Sequence, residues 1–177
     1  MTTDGGGAGT TARRLVLLRH AKSSWAEAGL ADADRPLNDR GRRDAAAAGR
    51  WLAAEVGRPD LVLCSTALRT RQTWSGATSA APLLADVPVR YEAAVYEAWS
   101  DTLLDLVRAL APDVRTAVLV GHSPGVPDLA ERLNRATGTG PVGEFPTSAV
   151  AVLAVDGPWT GLGPGSASLL AYAVPRG

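Results

Sequence analysis

The chain has 177 residues, 46% hydrophobic and 20% charged, which is enough for one domain with a proper core and short for two. Basic and acidic residues balance at 18 each, so neither a nucleic-acid footprint nor an attraction to anionic membrane surfaces is expected. A single cysteine, Cys64, excludes an internal disulfide and a cysteine-based structural zinc site, and no run of 18 apolar residues marks a transmembrane helix.

Residues 1–11 (MTTDGGGAGTT) carry neither a basic segment nor an apolar one, so they read as a flexible tail rather than a signal peptide. A cytoplasmic location is the default expectation, with residues 12–177 forming the domain. Arg14 to Leu18 is an apolar run that predicts a buried strand ending in Arg19-His20. Asn38 is placed to cap a helix reaching Val56, with Ala45, Ala48, Leu52 and Val56 on one face. Leu61 to Cys64 predicts a second strand, after which Ser65 caps a helix over Thr66 to Thr78. A weak strand is expected at Val89 to Tyr91, followed by a helix capped by Ser100 with Leu103, Val107 and Leu110 inward. Thr116 to Val120 is β-branched and apolar and predicts a strand, and a helix over Pro127 to Ala136 follows. Ala149 to Val155 and Ser168 to Val174 predict two closing strands. The alternation predicts an α/β fold: a three-layer α/β/α sandwich on a mostly parallel sheet with an antiparallel edge.

The only two histidines, His20 and His122, each directly follow a predicted strand. In parallel α/β sheets the carboxyl ends of the strands open onto one crevice, where ligands bind. Either histidine alone reads as structural; the pair points to function. Arg19 sets a fixed positive charge beside His20. Arg69 lies early in its helix, where side chains lean back toward the N-terminus and hence toward the crevice. It could instead pair with Asp60 or lie on the surface. Between Arg35 and Arg71 eight arginines face four acids, which suits either a solvated face or an approach for an anion.

Two guanidiniums and two imidazoles converging on one point suit a phosphoryl group, whose oxygens match guanidinium forks. A neutral imidazole can attack phosphorus, with the cations stabilising the equatorial oxygens and water releasing the phosphate afterwards. No carboxylate-rich or histidine-rich cluster accompanies the pair, so no metal or other cofactor is expected.

Four segments resemble the histidine phosphatase superfamily, which also contains the cofactor-dependent phosphoglycerate mutases. Leu17-Leu18-Arg19-His20-Ala21-Lys22-Ser23 resembles its Arg-His signature, and Arg35-Pro36-Leu37-Asn38-Asp39-Arg40-Gly41 the segment opening its first helix. Ser65 to Thr73 (STALRTRQT) is similar to its second arginine motif, and Gly121-His122-Ser123-Pro124-Gly125 to its second histidine motif. Arg-His-Ala-Lys-Ser, Gly-His-Ser-Pro-Gly and Phe145-Pro146-Thr147-Ser148-Ala149 look like the short SixA-type phosphohistidine phosphatases.

The resemblance implies a phosphoglycerate mutase-like fold, His20 as nucleophile, and Arg19, Arg69, His122 and Ser23 around the phosphate. It also implies phosphohistidine on a signalling protein as substrate, with small phosphomonoesters or a non-catalytic phosphate-binding module as alternatives. Mutase-like members carry a glutamate proton donor. Glu97 is the nearest match and Glu92 a second, though short members often lack this acid. A monomer or weak dimer is expected.

Three rivals fail on the residues. Gly121 to Gly125 satisfies G-x-S-x-G, yet no histidine follows His122 and Pro124 offers no N–H for an oxyanion hole. Four residues separate Cys64 from Arg69, one fewer than a cysteine phosphatase loop uses. No strand precedes Gly5 to Gly9, so a dinucleotide site is not formed there. Trp25 and Trp99 either line the mouth of the site or pack ordinarily.

Overall fold

The computed structural model describes residues 12–135 and 144–177; the expected tail, Gly5 to Gly9 within it, and the helix end at Ala136 lie outside them. Six strands form one sheet: β1 (Arg13–Arg19), β2 (Leu61–Ser65), β3 (Val89–Glu92), β4 (Thr116–Gly121), β5 (Val150–Val155) and β6 (Ala167–Ala173). Their order is β3-β2-β4-β1-β5-β6, the first four parallel and the last two antiparallel. The predicted antiparallel edge is therefore present, formed by the two strands that follow each other late in the chain.

The helices are α1 (Asp39–Glu55), α2 (Leu68–Ala80), α3 (Ser100–Arg108) and α4 (Gly125–Leu133). β1 is central, and Leu15 to Leu18 are fully buried because both faces of the strand are covered. Alternation sends Val16 and Leu18 to a core with Ala48, Leu52 and Trp74 of α1 and α2. Leu15 and Leu17 face Leu103, Val107, Leu129 and Leu133 of α3 and α4. Two cores on opposite faces of one sheet make the predicted three-layer sandwich. Among the described residues no helix is long and apolar enough to cross a membrane.

Asn38 caps α1 as expected, accepting from the Gly41 amide at 2.8 Å. The other three helix starts differ from the sequence reading. α2 begins at Leu68 because the Ser65 hydroxyl is engaged elsewhere and β2 runs on through Ser65. Trp99, not Ser100, is the N-cap of α3. α4 begins at Gly125, two residues before Pro127, whose missing N–H falls among the first-turn donors that have no helical partner. A Cβ at Gly125 would stand 2.0 Å from the Ala98 carbonyl oxygen, so only glycine allows this approach.

Candidate active site

β1 and β4 are parallel neighbours with Arg19 opposite Gly121, so the residues that follow, His20 and His122, leave the sheet side by side. The His20 amide donates to the Gly121 carbonyl at 3.0 Å, and the two ring centroids lie 5.2 Å apart. Both imidazoles are buried. His20 Nδ1 stands 2.8 Å from the Ala21 carbonyl oxygen, which can only accept; this assigns the proton to Nδ1 and the lone pair to Nε2.

His122 Nε2 lies 2.8 Å from the Ser65 hydroxyl, and its Nδ1 is buried with no partner among the described residues. Ser65 Oγ already accepts from the Ala67 amide at 3.3 Å. The hydroxyl can therefore give its own proton to Nε2, which leaves Nδ1 as the donor of this ring. Tyr96 meets the same imidazole edge-on at 5.6 Å.

Arg69, in the first turn of α2, turns to the crevice as predicted. There it meets an acid that sequence reading missed: Nη1 donates to the Asp32 carbonyl at 2.6 Å and Nη2 to the Asp32 carboxylate at 2.9 Å. Asp60, the alternative partner, instead accepts the Arg115 and Thr116 amides at the other end of β2 and β4. Asp32 also accepts from the Tyr96 hydroxyl at 2.8 Å and from Arg35 Nη1 at 2.7 Å. Arg35 Nη2 reaches the Ser23 hydroxyl. Arg19 gives Nη1 to the Phe145 carbonyl at 2.8 Å, while its Nε is buried without a partner among the described residues.

Arg19, His20, Ser23 and Arg69 line one cavity of about 280 Å³, with Trp25 and Arg35 at its sides. His122 is not on that wall but packs against His20. A larger groove of about 440 Å³ between α1 and α2 holds none of the predicted residues, so size does not locate the site.

Glu97 is exposed, with φ of 51°, and does not line the cavity; Glu92 pairs with Arg90 at 2.7 Å and does not line it either. Trp25 stands at the cavity while Trp99 does not. Among the described residues no group of three or more His, Cys, Asp or Glu side chains is placed to hold a metal.

Burial, with further lowering from the Arg69, Arg19 and Arg35 charges, brings the His20 imidazole down to about 4 despite the Ala21 hydrogen bond. Burial, the neighbouring His20 and Arg69 bring His122 down to about 3. Both rings are thus neutral at pH 7. Burial alone would raise Asp32, but hydrogen bonds from Tyr96, Arg35 and Arg69 outweigh it and hold the carboxyl at about 2.

The model of the histidine phosphatase superfamily (branch 1) matches residues 15–109. An uncharacterized protein of Mycobacterium tuberculosis strain H37Rv is 42% identical over 165 residues, covering 90% of this chain and all of that protein. Among solved structures, a candidate phosphohistidine phosphatase SixA from Nakamurella multipartitia superposes with a TM-score of 0.82 at 35% identity, covering 93% of this chain and 96% of that one. Another from Agrobacterium tumefaciens gives 0.75 at 33% identity, covering 93% and 99%.

Proposed function

The chain belongs to the histidine phosphatase superfamily and is a hydrolase of that type; from that premise we propose that His20 is its nucleophile and that it removes phosphoryl groups from phosphohistidine on a protein. The observation that carries this reading is a buried, neutral His20 on a cavity walled by Arg19 and Arg69, with the second neutral imidazole, His122, packed 5.2 Å behind it.

His20 Nε2 attacks phosphorus. A P–N bond forms to the enzyme, the bond to the leaving group breaks, and its electron pair departs with that group. Arg19 and Arg69 offset the charge on the equatorial oxygens, and His122 Nδ1–H donates to one of them. Water then attacks phosphorus, frees His20 and yields inorganic phosphate. The Ala21 carbonyl keeps the proton on Nδ1 throughout, so Nε2 faces each substrate unprotonated.

The choice of phosphohistidine is supported by the cavity wall, where among the described residues no carboxyl stands. An alkoxide leaving group needs a proton donor. A phosphoimidazole protonated on its far nitrogen departs as neutral imidazole and needs none. The two SixA proteins are matched to phosphohistidine by name, which supports the same substrate here.

Rapid quench with a protein labelled on phosphohistidine is the test. The expected result is a transient phosphoenzyme on His20, stable to alkali and lost in acid, absent from His20→Ala together with turnover. An adduct on serine or cysteine, or turnover surviving that substitution, would overturn the scheme.

A further inference from the structure

In an in-line displacement the leaving group departs opposite the nucleophile. His20 is buried on the wall of the cavity, so what leaves travels away from it toward solvent. Among the residues lining the same cavity as His20, Trp25 is the aromatic one, and it is 76% exposed although it is an indole. It is not loose on the surface. The Arg35 guanidinium carbon stacks 3.2 Å from the centre of its ring.

Arg35 is itself fixed by Asp32 and by the Ser24 carbonyl, at 2.7 and 3.1 Å, so the indole rests on a braced guanidinium. One ring face is covered, and three-quarters of the residue remains open to solvent. A large apolar ring held open beside a polar phosphate pocket serves stacking, as exposed aromatics do where a planar ligand must be received.

We propose that Trp25 on Arg35 forms a leaving-group subsite that accepts a planar aromatic ring, the imidazole of phosphohistidine or an aryl group in its place. This rests on the phosphatase reading of His20 and adds to it the part of the substrate beyond the phosphoryl group. Stacking needs no sequence around the phosphorylated residue, so ring-bearing phosphoryl compounds are preferred over aliphatic ones whatever carries them. Serine and glycerol phosphates, with no ring to stack, lose this contact.

The experiment compares binding of phenylphosphonate and methylphosphonate by titration calorimetry, alongside turnover of phosphohistidine, phosphoramidate and glycerol phosphate. The wild-type protein is expected to bind the phenyl compound about three- to tenfold tighter, the range typical of an aromatic pair. Trp25→Ala should bring the ratio near one, and Trp25→Phe should restore most of it. Turnover should favour phosphohistidine over phosphoramidate by a similar factor that Trp25→Ala removes. Equal affinities in the wild type, or a ratio unchanged in Trp25→Ala, would overturn the subsite. Ring preference in binding with no turnover of any compound would instead remove the phosphatase reading and leave the subsite standing.

Discussion

Asp32 holds Arg69 from both sides of one residue, with its backbone carbonyl on one terminal nitrogen and its carboxylate on the other. A flexible guanidinium becomes a fixed fork, pre-set before any anion arrives. Arg69→Ala is expected to weaken vanadate binding by roughly 2–4 kcal/mol. Arg69→Lys should recover only part, since an ammonium cannot hold Asp32 twice and meet the anion. Inhibition constants for vanadate check this, and wild-type affinity in the alanine variant would contradict it.

Ser65 orients His122 through the 2.8 Å contact with Nε2, and its hydroxyl otherwise accepts the longer, 3.3 Å contact from the Ala67 amide. Ser65→Ala should therefore lower kcat about tenfold while costing only about 1 kcal/mol of stability. Steady-state rates beside a urea titration separate the two effects. An unchanged kcat would mean that the tautomer of His122 is set elsewhere.

The two histidines give a direct reading of the electrostatics, because no other imidazole exists in the chain. At His20 and His122 the folded protein resists protonation down to about 4 and 3, whereas unfolded imidazole takes a proton near ~6.5. As pH falls through that window the unfolded state binds protons first. The stability associated with the neutral rings is thus complete above about pH 6.5 and is lost as pH drops through 4 for His20 and 3 for His122. Asp32, with its pKa lowered, adds a loss only in stronger acid, as pH falls from near ~3.8 through 2. The urea midpoint should be lower at pH 5 than at pH 7, and the imidazole nitrogen shifts should stay those of neutral rings at pH 6. A titration midpoint near 6.5 would contradict both.

Asp44 is a carboxylate at 1% exposure, held by Arg176 at 2.8 Å and more distantly by Arg40 at 3.5 Å. Arg176 also donates to the Thr147 carbonyl, and Thr147 lines the cavity. Arg176→Ala leaves the buried charge with only the more distant Arg40 and the Gly177 amide at 3.2 Å, and should destabilise the fold by about 2–3 kcal/mol. Thermal unfolding checks this; an unchanged Tm would show that Arg40 and the Gly177 amide suffice.

Local signals carried most of the fold. Apolar runs end where Arg19-His20 and Gly121-His122 begin, and this alone places both imidazoles at strand ends. That β1 and β4 are neighbours could not be read from spacing, since register depends on packing between distant segments. Asp32 and Tyr96 were missed for the same reason. They sit in short 3-10 or loop segments without periodicity, and Asp32 stands 37 residues from Arg69 and 64 from Tyr96. Ser65 looked like a helix cap because a hydroxyl before a helix has that use most often; here the histidine across the sheet claims it. The glutamates were read by analogy of position alone, and neither Glu97 nor Glu92 reaches the cavity wall. Of the arginine-rich stretch, Arg35 and Arg69 stand at the cavity, while Arg40 reaches the buried Asp44, Arg42 pairs with Asp39 and Arg58 donates to the Asp86 carbonyl.

Cys64 lies at the end of β2, fully buried, and burial pushes its thiol up to about 12. A thiol so rarely ionised resists peroxide and alkylating agents, which attack the thiolate. Phosphatases that use a sulfur nucleophile are silenced by oxidants; with the imidazole nucleophile proposed above and its one thiol shut inside the sheet, this chain is expected to keep its activity through peroxide treatment.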